Sequence, residues 1–404
     1  MVVYSIVPST NSKPNQKTQR TRIFFLVLGF LFIVGCVTKT KKVSNSTNQD
    51  TLSPYKKIVL PYDAHRNLLD RPQYLLTHQG KGYLYKINPK ATMIYVYELA
   101  ENSILRDSIP VPKFLQNKNP RITVISPDSI LLYNRFFLGA YLYCKSSNKL
   151  DTLHFPSVPF TKNAKKFYTT LSVQSSCMPV FVFPYLYIKV STVVDSKNNY
   201  NGIILKYNIV DKTGTYMVDY PNIEIYEKDK TQYPYVYNGF EFQASFTVYK
   251  NMLAIIYSPI DTMYIYNAEN GNLVKKIKIT SKYAKIPPRP IEKNEEGYFY
   301  ATEIPHFSQF FYDPFRDVYY ILVKHKMSLE VSTNQGDETF SIIVLDNQFK
   351  ILKEWFFEGK KYHYHNILIL PDAIYFSNTH NYVPKNEKQS YSGFNLLHGL
   401  DNHK

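Results

Sequence analysis

The sequence predicts an all-β protein, a six-bladed propeller, and three observations predict it. Aromatic residues suited to a pleated, half-buried surface are abundant, with Tyr 37 and Phe 26 against Gly 14 and Trp 1. A strand–turn–strand pattern recurs at a spacing that fills nearly all of the chain. No long helical periodicity appears outside one apolar run near the N-terminus. With 44% hydrophobic and 20% charged residues, the 404-residue chain has the material for a sizeable core and is not disordered as a whole.

The N-terminus comes first. Residues 1–22 contain Lys13, Lys17, Arg20 and Arg22 and no acid. Ile23–Val34 is a 12-residue apolar run, followed by Gly35 and Cys36. A spanning helix needs about 20 apolar residues, so this run fits the hydrophobic region of a signal peptide better than an anchor. A small residue before Cys, directly after such a run, resembles a bacterial lipobox. It implies cleavage before Cys36 and acylation of its thiol by fatty acids such as palmitate. An ordinary signal peptide with an incidental Cys is the alternative. Residues 1–35 are therefore expected to be a lipoprotein signal peptide. Removing them takes four of the +16 net charges and leaves +12 on 369 residues.

Residues 36–54 lack apolar periodicity and are rich in Ser, Thr, Asn and Lys, which reads as a flexible tether. Lys39, Lys41 and Lys42 lie within it and suit an anionic headgroup surface. Val37 follows Cys36 in place of the Asp that marks inner-membrane retention, and no acid follows closely. The expected location is the outer membrane, lipid-anchored and facing the periplasm.

Residues 55–404 form the expected propeller domain. Five copies of an aromatic strand, a polar turn and a second strand begin at Met93, Ala140, Gly202, Thr262 and Phe340. A weaker sixth begins at Gly393. Anchored on Tyr97, Tyr143, Tyr207, Tyr266 and Leu345, the steps are 46, 64, 59 and 79 residues, about six units in the mature chain. Two further strands precede most copies, which makes four per unit, a propeller blade. A seven-bladed ring and a pair of β-sandwiches are the competing architectures. The sixth unit lacks its fourth strand, and Tyr55–Leu60 is placed to supply it and close the ring, leaving no open sheet edge.

The turn-strand Phe311-Tyr-Asp-Pro-Phe-Arg-Asp-Val-Tyr-Tyr320, followed by Ser341–Lys350, joins the lipobox and the six-unit rhythm in a wider likeness. Together they resemble an uncharacterised family of Bacteroidetes lipoproteins, domain of unknown function 4221. The resemblance covers residues 36–404 and implies a six- or seven-bladed propeller. It transfers no catalytic residue. The long basic N-terminus departs from the family.

Chemistry-bearing residues are sparse. Tyr362-His363-Tyr364-His365 puts two imidazoles on one face of a strand, half of a metal site, with no third ligand at short spacing. A packed aromatic strand is the plainer reading, and no metal or other cofactor is expected. Cys144 and Cys177 fall in neighbouring units. An envelope location permits a disulfide between them, and two small buried hydrophobes is the alternative. Five Asp-Ser/Thr-apolar triplets resemble O-glycosylation acceptors but are also turn chemistry. Only Thr51, in the tether, has an accessible context.

No Gly-rich phosphate loop, GxSxG, HExxH or CxxC occurs. The expected function is a non-catalytic binding or scaffold lipoprotein whose partner is an envelope protein or a glycan. A propeller-type envelope hydrolase or lyase acting on glycans is the alternative. Nucleic acid is not an expected partner, because export separates the chain from it. The connections Ser191–Asn201, Pro221–Asn238, Ser281–Pro305, His325–Thr339 and Asn378–Tyr391 are long and, by the strand order, share one face. Binding surfaces tend to be built on long loops. The 281–305 connection is the most charged, and Arg289 and His306 are the named ligand-binding candidates.

Overall fold

The computed structural model describes residues 52–61, 73–88, 90–116, 118, 120–134, 137–156, 167–171, 177–194, 197–199, 202–219, 221, 244–258, 260–286, 305–326, 339–359, 361–378 and 389–398. Cys36 and Thr51 therefore lie outside the described residues, as do the signal peptide and most of the tether.

Six antiparallel sheets make up the ring. Strand β1 (Lys56–Val59) precedes the first blade, which comprises β2 (Gln73–His78), β3 (Lys81–Ile87), β4 (Met93–Glu98) and β5 (Ile104–Pro110). The second holds β6 (Arg121–Ser126), β7 (Ser129–Tyr133), β8 (Gly139–Cys144) and β9 (Lys149–His154). The third is irregular. Its first strand comes in two pieces, β10 (Phe167–Leu171) and β11 (Val180–Val182), both paired with β12 (Tyr185–Val194). A short β13 (Lys197–Asn199) also pairs with β12, ahead of β14 (Ile204–Asn208) and β15 (Thr213–Met217). The fourth blade has β16 (Ala244–Tyr249), β17 (Met252–Tyr257), β18 (Thr262–Asn267) and β19 (Leu273–Lys278). The fifth has β20 (His306–Asp313), β21 (Val318–Lys324), β22 (Phe340–Leu345) and β23 (Ile351–Phe357). The sixth has β24 (Tyr362–Ile369), β25 (Ile374–Asn378) and β26 (Ser390–Phe394), completed by β1.

The five strong sequence copies are the third and fourth strands of the first five blades. The sixth copy is shifted, since β26 starts at Ser390 and its fourth partner comes from the other end of the domain. Lys56 pairs with Gly393 and Val59 with Ser390, so the expected closure is made. The closing strand also reaches the first blade: Val59 N–H donates to Glu101 O, and Ser103 N–H to Val59 O, both at 2.9 Å.

Side-chain alternation builds the core. In β17, Leu253, Ile255 and Tyr257 pack toward the third blade, while Ala254 and Ile256 pack toward the fifth. In β21, Tyr319, Ile321 and Val323 face the fourth blade and Val318, Tyr320 and Leu322 the sixth. Strands buried on both faces read as continuous apolar runs, as these do. Six hydrophobic clusters result, one between each pair of neighbouring blades. The last joins Leu368, Leu370 and Tyr375 to Leu84 and Tyr97 across the closing seam. Each such fully buried side chain contributes about 1.5–3 kcal/mol. A Cβ on Gly82 would meet the end of the Leu370 side chain, which packs close over it at this seam. Fourth strands are the solvated edges: all of β19 except Ile277 is exposed.

Candidate functional site

Strand direction divides the connections. In a four-stranded meander, links between the second and third strands and links between blades leave one face. First-to-second and third-to-fourth turns leave the other. All five long connections belong to the first class. The opposite face carries tight turns such as Gln79-Gly80, Pro127-Asp128 and Lys250-Asn251.

His306 opens β20 at the link face, buried and in register with Lys324 at the end of β21. Arg289 lies outside the described residues. The structure therefore places one of the two named candidates at the base of the expected binding face.

Beside it is a buried polar chain that no local motif announced. Glu354 accepts hydrogen bonds at Oε1 from Ser281 Oγ (2.7 Å) and Ser341 Oγ (2.5 Å), and at Oε2 from Lys282 N–H (2.5 Å). His325 Nε2 lies 2.9 Å from Ser341 Oγ. All three of His325, Ser341 and Glu354 are buried. Ser341 Oγ thus sits between the carboxylate, to which it donates, and the His325 ring. The three side chains form an anchor. It fixes the start of the 281–305 connection to the outer strands of the fifth blade, where Tyr283 also packs edge-on against Phe356. Burial holds His325 down to about 4. Its sequence signal is slight: a Glu in the otherwise apolar C-terminal half of β23, and a Ser in β22.

The link face of the second blade carries a row of rings. Phe114 meets Tyr141 edge-on at 4.9 Å, Tyr141 stacks on Phe137 at 5.0 Å, and Phe137 meets His154 at 5.6 Å. Phe114 belongs to a single 3₁₀ turn, Lys113–Leu115, whose Leu115 is buried as its peg. Gln116 Nε2 holds the turn by donating to Val111 O at 2.8 Å.

The turn face has a cleft of about 830 Å³ at the closing seam, lined by residues including Tyr55, Lys57, Gly80, Leu99, Glu101 and Asp372. Two of its cations are committed, Lys56 to Asp372 at 2.7 Å and Lys81 to Glu98 at 2.8 Å. Its remaining charges are mixed and select no ligand chemistry.

The disulfide that an envelope location would permit is not made: Cys144 and Cys177 are both free. Cys144 ends β8 in the second blade, with Ser129 Oγ at 4.0 Å. Cys177 is buried between the third and fourth blades beside Tyr187 and Phe246, and burial pushes its thiol up to about 11. It is one of the small buried hydrophobes of the alternative reading. In the His-Tyr segment, His363 and Tyr364 open β24 with near-parallel rings 5.7 Å apart. Among the described residues no three His, Cys, Asp or Glu side chains group as metal ligands. Several triplet aspartates act structurally. Asp107 pairs with Lys145 and Asp151 with Lys212, each across a blade boundary, and Asp128 accepts from Ser146.

No protein-family model matches this sequence, and no curated protein does. Among solved structures, a member of the duf4221 family from Bacteroides vulgatus atcc 8482 superimposes with a TM-score of 0.64. The match covers 86% of this chain and 98% of that one, at 16% identity. This chain shares that protein's fold. The resemblance to domain of unknown function 4221 read in the sequence is borne out in three dimensions. Six sheets settle the architecture against seven blades or a sandwich pair. A second structure, Kluyveromyces lactis Hsv2, covers 79% of this chain and 89% of its own at 10% identity and a TM-score of 0.34, a likeness too loose to say more.

Proposed function

We propose that this chain is a non-catalytic lipoprotein of the bacterial outer membrane, a member of the domain of unknown function 4221 family, held by acylated Cys36. Its propeller binds a ligand or partner on the face of long connections. One observation carries the reading: the chain enters the ring on the other face. Antiparallel to β26, β1 starts at the tight turns, where the Tyr55 hydroxyl donates to Asp372 O and Lys56 pairs with the Asp372 carboxylate. The chain leading from Cys36 thus joins the ring at the turn face. Acyl chains together with Lys39, Lys41 and Lys42 supply two membrane signals, enough for stable anchoring.

The test is metabolic labelling with a fatty-acid analogue. Wild-type chain should take up label, and Cys36→Ser should accumulate unprocessed and unlabelled. Persistent labelling of the variant would refute the anchor.

A further inference from the structure

The link face is not uniform in charge. Over the first two blades, the connections 88–92, 111–120, 134–138 and 155–166 carry Lys90, Lys113, Lys118, Arg135, Lys162, Lys165 and Lys166 and no Asp or Glu, while the link into the first blade, residues 60–72, carries Asp63 and Asp70 with Arg66 and Arg71. Connections of the later blades mix signs, as with Lys282, Lys285, Glu292, Glu295 and Glu296. The described lysines of the basic sector, Lys90, Lys113 and Lys118, are exposed. Among the described residues no carboxylate pairs with Lys113 or Lys118. The row of rings from Phe114 to His154 stands in this sector, with Phe114 43% exposed despite its contact with Tyr141.

Exposed aromatic carbon in one connection with unpaired cations has a chemical meaning. The C–H face of a pyranose packs on an aromatic ring, and a carboxylate on the same sugar meets an ammonium. We propose that this sector of the second blade binds an acidic polysaccharide, with Phe114 as the stacking ring and Lys113 and Lys118 as the charge partners. The inference rests on the envelope location and binding face proposed above. That location also favours a glycan over a nucleic acid as the polyanion. Rings locked against one another lose little entropy on binding. Rim cations set the encounter rate and make binding salt-dependent, since the screening length is about 8 Å at physiological ionic strength.

The experiment titrates the full-length lipidated chain in detergent with polygalacturonate at low salt, with dextran as the neutral glycan and single-stranded DNA as the sugar-acid-free polyanion. Wild-type chain should bind polygalacturonate, weaken as salt rises and ignore dextran. The double variant Lys113→Glu, Lys118→Glu should lose about tenfold or more in affinity. Phe114→Ala should lose affinity with its thermal midpoint nearly unchanged, which separates recognition from folding. The proposal is overturned by absence of polygalacturonate binding at low salt, by equal binding in the double variant, or by DNA binding as tight as polygalacturonate. Loss of acyl labelling in Cys36→Ser with no polygalacturonate binding overturns this inference alone. Retained labelling overturns the anchor whatever the titration gives.

Discussion

On the turn face, short connections fold side chains back onto their own backbone. Asn267 Oδ1 accepts from Glu269 N–H and Asn270 N–H, and Asp346 Oδ1 accepts from Gln348 N–H and Lys350 N–H. In the fifth blade Asp313 does the same for Phe315 and Arg316, and its other oxygen takes the Arg316 guanidinium at 2.6 Å and the Tyr320 hydroxyl at 3.0 Å. On the link face a connection is anchored at its base by side chains of neighbouring strands, as Glu354 holds Ser281 and Ser341. Local capping leaves little room for insertion. Anchoring at the base of a connection leaves its far end free to vary, so one face is rigid by construction and the other is available for recognition.

Strand β1 closes the ring between the two faces, and removing it is the harshest test of the fold. Deleting residues through 62 removes Ile58 and Leu60 from the seam core and leaves β26 an open edge. The chain should lose cooperative unfolding or aggregate, and calorimetry of the truncated protein checks it. A sharp transition near the wild-type midpoint would mean that neither face depends on closure.

Next in size is the turn face's most buried tie. Asp313 is fully buried, and Arg316, only 11% exposed at its side chain, also donates to Leu370 O at 3.0 Å and so joins the fifth blade to the sixth. Breaking a buried pair by deleting one partner typically costs about 3–5 kcal/mol. Asp313→Ala should lower stability by about that much in denaturant titration. Asp346→Ala, in an exposed turn of the same face, should cost about 1 kcal/mol. Equal losses would erase the distinction drawn between a tie across blades and a cap within a turn.

That distinction also marks what was legible in the sequence. Six units, the closing strand and the common face of the long connections all follow from patterns inside one unit or from strand count. Asp313 sits within the quoted Phe311–Tyr320 turn, yet nothing local shows that Arg316 reaches a carbonyl 54 residues further on. Glu354 and Ser281 are likewise 73 residues apart. The split first strand of the third blade was partly readable, because Pro179 lacks the N–H that a continuous ladder between Leu171 and Val180 would need. The ring row escaped because its members come from two connections and two strands of unremarkable sequence. Only folding brings Phe114 to Tyr141.

The last of these effects separates the faces by pH. His325 belongs to the link-face anchor. Its ring is held down to about 4 from an ordinary 6.5 by burial, with Phe356 5.4 Å away and the Glu354 carboxylate beyond Ser341. The unfolded chain takes up a proton on this side chain as pH falls through about 6.5, while the folded chain resists until about 4. Stability contributed by the neutral ring is therefore complete above about 6.5 and is lost progressively down to about 4. The gap of roughly 2.5 pH units sets the loss on the order of 3 kcal/mol. His325→Gln keeps an N–H to offer Ser341 and removes the titration, so it should be less stable than wild type at pH 7 and gain on it as pH is lowered to 4.5. Urea unfolding of both proteins at pH 7, 5.5 and 4.5 reads the difference, and other acidic groups cancel because both proteins share them. Parallel pH profiles would show that the anchor does not depend on a neutral imidazole. Convergence confined to this variant would place the pH sensitivity on the link-face anchor.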